Sequence, residues 1–296
     1  MNFDVVIIGG GLVGASLAAA LQHSGLALAL VESHPAPIVA DSDTALASGG
    51  AENWDSRMYA ISPGSRSFLE QYGAWALLDT RRITGVEMMR VFGDTGAELE
   101  FSAYQMGVAE LACILESRAL QQALWQVLQA QENLTLLHPQ RCASLQFTED
   151  AATLMLENGA TLNAKLIVGA DGHNSWVRDQ AGIHATPLDY QQYGVVANFS
   201  TELPHRGIAY QWFQTGGMLA LLPLPGNRVS MVWSVSTEQS ARLLALPHEE
   251  LCAQVAAAAQ HTLGNLQIIT PPAVFPLPRY SPRTRKNRSS CSSICT

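Results

Sequence analysis

The chain contains no uninterrupted apolar run of about 18 residues, which excludes an ordinary membrane-crossing helix. Its five cysteines (Cys113, Cys142, Cys252, Cys291, Cys295) form no CxxC pair and no disulfide framework. That argues against a structural zinc site and for a reducing, cytoplasmic compartment. Charge is sparse, at 14% of residues, and the formal total is −8, so no basic face for nucleic acid is present. The apolar opening, Met1–Val31, lacks the basic start of a signal peptide and carries Asp4; it reads as core. With 296 residues, 48% of them hydrophobic, the composition is that of one large or two intimately linked globular domains.

What charge there is lies unevenly. Residues 279–296 hold five basic groups and no acid, whereas residues 1–278 hold 12 basic and 25 acidic groups, a net −13.

The opening residues carry the first motif. Phe3–Ile8 is an apolar, β-branched run, expected as a buried parallel strand. Gly9-Gly10-Gly11-Leu12-Val13-Gly14 follows and matches GxGxxG at Gly9, Gly11 and Gly14. A helical stretch to His23, a break at Ser24-Gly25 and a second strand, Leu26–Val31, lead to Glu32. This strand, turn, helix, strand and acid are the context in which the fingerprint binds a dinucleotide. Gly9 permits the turn, Gly11 admits a diphosphate to the backbone, and Gly14 allows helix and strand to approach. The helix N-terminus offers unpaired N–H groups to the phosphates. Glu32 is spaced to accept the ribose hydroxyls and would repel a 2′-phosphate, excluding NADP from this site. The motif alone does not separate FAD from NAD.

Further along, Asp55-x-Arg57-x-x-Ala60 precedes a helix over Pro63–Tyr72. Glu116-Ser117-Arg118 opens another, in which Arg118 and Gln122 share a face, equally the mark of a solvated helix surface. Strands are expected over Leu134–Leu137, Ala143–Thr148, Ala152–Leu156 and Lys165–Val168. The last runs into Gly169-Ala170-Asp171-Gly172 and on to Arg178. Asp-Gly is a common turn, but after a buried strand it also makes a second phosphate-approach loop. Asp171 is expected as the helix cap and Arg178 as a fixed cation. Val195–Phe199, Ala209–Phe213, Met218–Leu222 and Val229–Val235 read as an antiparallel meander. Helices are expected from Ser236 and near His248.

The ordered series Gly9/Gly11/Gly14 with Glu32, Asp55-x-Arg57, Arg118 and Asp171-Gly172-x-x-Ser175-x-x-Arg178 resembles the FAD-dependent aromatic hydroxylases of the para-hydroxybenzoate hydroxylase type. Within them the chain is similar to the ubiquinone-biosynthesis hydroxylases, through Glu116–Trp125, Gly169–Arg178, Asp189-Tyr190-x-Gln192 and Ala220–Leu224. The resemblance covers about residues 3–278. It implies an α/β fold: a Rossmann-like FAD domain from segments 1–70 and 106–180, interleaved with a β-rich substrate domain from 71–105 and 181–278. It implies FAD held by Gly9, Gly11, Gly14, Glu32, Arg57, Arg118, Asp171, Gly172 and Arg178, and NAD(P)H as co-substrate without a second nucleotide domain. The substrate would be a small aromatic molecule, prenylated in the ubiquinone branch. Such a substrate implies contact with the inner membrane or with other enzymes of that route. Competing readings are another flavoenzyme of the fold, such as a prenyl reductase or halogenase, or an inactive nucleotide-binding remnant. No Ser–His–Asp or metal constellation is expected, and His173 is given no chemical role.

The chain departs from that family after Pro278. A Gly-Asp motif and a Gly-rich helix start are expected there; Arg279–Thr296 is instead basic, Ser-rich and without apolar period. A frameshifted or truncated frame accounts for it, and flavin retention and hydroxylation are then expected to be weak.

Overall fold

The computed structural model of the chain describes residues 1–37, 54–148, 150–183, 185–188, 191–277 and 279–282. Most of the loop that follows Glu32, the Asp189-Tyr190 pair and the tail beyond Pro282 lie outside them. The first part of the chain forms β1 (Asn2–Ile8), α1 (Leu12–Ala20), β2 (Leu28–Val31), β3 (Met58–Ile61) and α2 (Pro63–Gln71). Then come β4 (Thr84–Val86), β5 (Met88–Phe92), β6 (Glu98–Ser102), α3 (Ala103–Met106), β7 (Ala112–Glu116) and α4 (Ser117–Gln129). The middle comprises β8 (Leu134–Leu137), β9 (Cys142–Phe147), β10 (Ala152–Leu156), β11 (Thr161–Gly169), α5 (Trp176–Gln180) and β12 (Ala185–Leu188). The remainder is β13 (Gln192–Thr201), β14 (Ile208–Gln214), β15 (Gly217–Leu224) and β16 (Arg228–Ser236), followed by α6 (Thr237–Ala245), α7 (His248–Ala258), β17 (Leu266–Ile268), β18 (Ala273–Pro276) and β19 (Arg279–Pro282).

The nucleotide-type sheet has the order β8-β2-β1-β11-β10-β9. Its first four strands are parallel and β10 and β9 antiparallel, so the Rossmann-like α/β expectation is met. Parallel strands covered on both faces should be apolar throughout. Accordingly Val6, Ile7, Leu28, Ala29 and Leu30 are fully buried. Small residues on α1 (Ala15, Ala18, Ala19) let it lie close to Ile7 and Leu30, and α4 closes the same core with Leu124, Trp125 and Leu128. The strand expected over Lys165–Val168 extends back to Thr161, because Asn158-Gly159 turns the chain directly from β10 into β11, with Gly159 at φ 85°.

The large sheet has the order β17-β13-β16-β15-β14-β5-β6, with β18 also on β13. The expected meander needs correcting in topology: β13 lies beside β16, not beside β14. The segment after β13 crosses over, and β14 pairs in parallel with β5 instead. His205 secures the crossover, its Nε2 lying 2.8 Å from the carbonyls of Leu224 and Gly226. Helices α6 and α7 cover one face, over Val195, Phe199, Met231 and Trp233. Ser236 caps α6 as expected, accepting the Gln239 amide at 3.2 Å. The other face meets the small sheet β3-β7-β4 through Trp54, Met58, Ile114, Ala209 and Leu224.

Residues 279–282, read in sequence as the start of a patternless tail, form β19 and pair with β12. Backbone pairing needs no apolar alternation, so composition did not reveal it. Among the described residues no helix is long and apolar enough to cross a membrane.

Candidate functional site

The site begins with two parallel strands that end together. Ile8 of β1 is in register with Gly169 of β11, so the Gly9–Gly11 turn and the Ala170–Gly172 loop emerge side by side. The Ala170 amide donates to the Ile8 carbonyl at 2.7 Å, and Gly9 N–H to Val31 O at 2.8 Å. The three fingerprint glycines do different jobs. Gly9 has φ +106°, and a Cβ on it would lie 2.3 Å from Ala170 O. A Cβ on Gly14 would lie 2.0 Å from Gly9 O, so helix and turn touch there. A Cβ on Gly11 would meet nothing within 4 Å. Gly11 instead borders a cleft of about 650 Å³ shared with Gly9, Glu32, Arg141, Asp171 and Gly172.

Glu32 follows β2 at the rim of this cleft. Its Oε2 accepts the Gly10 N–H at 2.7 Å, and its Oε1 accepts the His34 N–H at 2.8 Å and the Ser33 hydroxyl at 3.1 Å. Burial opposes the charge, but the Gly10 and His34 donors outweigh it and hold the carboxyl below its ordinary value of 4.5. The carboxylate expected to grip a ribose therefore already supports the glycine turn. One lone pair of Oε2 remains outside these bonds; a bidentate diol contact requires the Ser33 hydroxyl and the exposed His34 ring to move off Oε1.

In the second loop Gly172 has φ +85° with open space beside it. The helix cap expected of Asp171 falls to Ser175, whose hydroxyl accepts the Arg178 amide at 3.0 Å. Asp171 braces that cap: Oδ1 accepts the Ser175 hydroxyl and Oδ2 the Val177 amide at 3.1 Å. Arg178 turns back, its Nη1 donating to the His173 carbonyl at 2.8 Å, and does not line the cleft. Cys142, which does, is a protonated thiol: burial, then the Asp171 and Glu157 charges, push it up to about 12.

Arg57 and Arg118 lie together, away from the cleft lining. Asp55 joins them, Oδ1 accepting the Arg57 amide at 3.0 Å and Oδ2 the Arg118 amide at 2.9 Å. The Arg57 guanidinium sits 5.3 Å from the Tyr59 ring centre and 5.4 Å from that of Phe275, so it bridges β3 and β18. The sequence reading missed the group beneath. Buried Glu116 accepts Arg82 Nε at 2.6 Å and the Asp55 N–H at 2.7 Å, while Arg82 lies over Trp54 at 4.0 Å. It also missed Trp125, whose Nε1 donates to Gly10 O at 2.8 Å. A Trp amid the apolar stripe of α4 signals only core; its indole N–H needing a partner was the available clue.

The cradle suits a dinucleotide: an open glycine at a helix N-terminus, a second glycine loop beside it, and a charged acceptor lining the same cleft. A family model described as FAD binding domain matches residues 2–288.

The chain belongs to this FAD-binding family.

Within it, the chain is 35% identical over 272 residues to the ubiquinone hydroxylase UbiL of Rhodospirillum rubrum, covering 90% of this chain and 60% of the relative. It is 34% identical over 279 residues to the 3-demethoxyubiquinol 3-hydroxylase of Escherichia coli, covering 93% and 68%. To the human mitochondrial ubiquinone biosynthesis monooxygenase the figures are 31% over 280 residues, 88% and 58%. The resemblance to FAD-dependent aromatic hydroxylases of the ubiquinone branch is thus borne out, in a chain that spans about 60% of the first of these relatives. Among solved structures, Pseudomonas aeruginosa PqsL in complex with 2-aminobenzoylacetate superimposes with TM-score 0.70 at 22% identity, over 90% of this chain and 73% of that one. Klebsiella pneumoniae HpxO complexed with FAD gives 0.67 at 15%, over 99% and 73%. At such identities these two show the fold.

Proposed function

We propose that this chain carries the cofactor cleft and the substrate sheet of a monooxygenase that hydroxylates the ring of a prenylated phenol or quinol in ubiquinone synthesis. The carrying observation is that Gly9 and Gly11 line the same cleft as Asp171 and Gly172, on loops that leave adjacent parallel strands, in a member of the FAD-binding family. When bound, FAD supplies the redox chemistry that couples NAD(P)H and O₂ to ring hydroxylation. The protein's own part is to bind, orient and keep dry. The α1 N-terminus and the Gly11 amide would hold the diphosphate, Gly9 and Gly14 keep that turn in shape, and Glu32 would take the ribose once Ser33 and the His34 ring leave its Oε1. Asp171 and Gly172 line the same cleft beside that turn, and Arg178 steadies their loop through the His173 carbonyl. Arg57 and Arg118, gathered at the Asp55 junction outside the cleft lining, would contact the part of the cofactor that extends beyond that cleft.

Segments 1–70 and 106–180 form the cofactor domain in this reading, and 71–105 with 181–278 the substrate domain. Its support is that β5 and β6 join β13–β18 in one sheet. The sheet face opposite α6 and α7 carries Gln211, Ala220 and Val232, cross-strand neighbours that are only half-buried, a surface suited to a flat apolar ring. A prenylated substrate favours work at the inner-membrane surface, beside other enzymes of the route.

The test is titration of the purified chain with FAD, then NADH or NADPH oxidation with a demethoxyubiquinol analogue and mass analysis of the product. Saturable FAD binding is expected, with one added ring oxygen. Substrate reduction without oxygen incorporation would overturn the hydroxylase reading.

A further inference from the structure

Asn198, on β13, is a buried residue with only half of its carboxamide engaged. Nδ2 donates to the Asp55 carbonyl at 2.8 Å, which fixes the orientation of the amide, because the opposite orientation would set oxygen against oxygen. Oδ1 is buried and has no hydrogen-bond partner. Ser230, directly opposite on β16, likewise has a buried hydroxyl without one. Its main chain is satisfied on the side away from β16: the N–H donates to Thr270 Oγ1 at 2.9 Å, and the carbonyl accepts the Ile269 amide at 2.7 Å.

A half-satisfied buried amide is poor value for stability, since the unused oxygen carries a desolvation penalty. Val196, two residues earlier on the same face, shows that an apolar side chain fits this sheet. What Asn198 reaches is informative. Asp55 is the residue whose carboxylate holds the Arg57 and Arg118 amides, and whose own N–H is held by Glu116 at 2.7 Å. Ser117 N–H donates to Arg57 O at 3.0 Å, completing the junction. From the large sheet, Asn198 grips this junction by its backbone.

We propose that Asn198 is a positioning residue: it ties the substrate sheet to Asp55 and thereby sets Arg57 and Arg118. Through this hydrogen bond a shift of β13 reaches the Asp55 carboxylate that holds both arginine amides, alongside the separate contact of Arg57 with Phe275. The part concerning the cofactor rests on the reading of Arg57 and Arg118 given above; the mechanical link does not.

The two are therefore tested separately. Amide hydrogen exchange is measured in the purified chain without added FAD for wild type, Asn198→Ala and the control Ser230→Ala. Asn198→Ala is expected to speed exchange at the Arg57 and Arg118 amides about tenfold, while peptides over 171–178 keep their wild-type rates. Ser230→Ala, which removes an equally buried hydroxyl from the same face, is expected to change neither. Asn198→Ser, too short to reach Asp55, repeats the test should the alanine protein not fold; unfolding of both would overturn the proposal in favour of a purely structural role. Unchanged exchange at both arginine amides overturns it outright. In a second arm the FAD dissociation constant is expected to rise several-fold in Asn198→Ala. If exchange changes but FAD affinity does not, the link stands and the assignment of the arginines to the cofactor falls.

Discussion

The carboxylate of Glu32 accepts the amide N–H of Gly10 at 2.7 Å. The end of β2 is thereby tied to the turn that leaves β1, so the acid of the fingerprint builds the pocket it borders. A Cβ on Gly10 would stand 2.6 Å from the Trp125 ring and 3.1 Å from Glu32 Cβ, showing how tightly that junction is filled.

Glu32 should thus be read in stability as well as in binding. Its carboxyl lies below the ordinary 4.5 in the folded chain, so its stabilising effect is complete above that value and is lost as pH falls through the depressed one. Urea unfolding of wild type and Glu32→Gln is expected to differ by about 1 kcal/mol at neutral pH and to converge at a pH well below 4.5, once the carboxyl is protonated in the folded chain too. A gap that stays constant down to that pH would show that the charge is irrelevant.

The three fingerprint glycines should separate in experiment. Gly14→Ala puts a Cβ against the Gly9 carbonyl, and Gly9→Ala adds a disfavoured φ to a clash with Ala170 O. Both are expected to lose about 2 kcal/mol or more of stability. Gly11→Ala meets no atom. It should keep the wild-type melting temperature and lose FAD affinity by tenfold or more, measured by quenching of flavin fluorescence.

Trp125→Phe removes the donor to Gly10 O and leaves a buried carbonyl unpaired. We expect a loss of about 1–2 kcal/mol by chemical denaturation, beyond the effect of the smaller ring, together with weaker FAD binding. An unchanged protein would mean that the hydrogen bond adds nothing over water.

Arg82→Ala strands the buried Glu116 carboxylate and uncovers Trp54. The expected loss is about 3 kcal/mol. The double variant Arg82→Ala with Glu116→Gln should recover part of it, since the uncompensated charge is then gone. Thermal denaturation of wild type, Arg82→Ala, Glu116→Gln and the double variant measures the coupling.

Local signals carried much of this molecule. The β1–turn–α1–β2 unit was legible because each part has its own signature: a β-branched run, glycines at fixed offsets, a helix break and an acid. The α4 start at Ser117 and the α6 cap at Ser236 were legible for the same reason. The meander failed at β13, since alternation says that a segment is a strand and says nothing of its neighbour. β19 failed because backbone pairing leaves no mark on a basic, Ser-rich stretch. Arg178 was read as a cation for a ligand, yet its reach to the His173 carbonyl depends on a loop closing back five residues.

The sequence by itself determined that a glycine turn, a helix N-terminus and an acid would lie together, since they are joined by short covalent paths. It also determined family membership through the order of its motifs. Only the tertiary structure decided that Gly172 shares the cleft with Gly11, that Asp55 gathers Arg57 and Arg118, and that Asn198 grips Asp55 across 143 residues of chain. Those pairings depend on strand register and sheet order, which long-range packing fixes and no local pattern encodes.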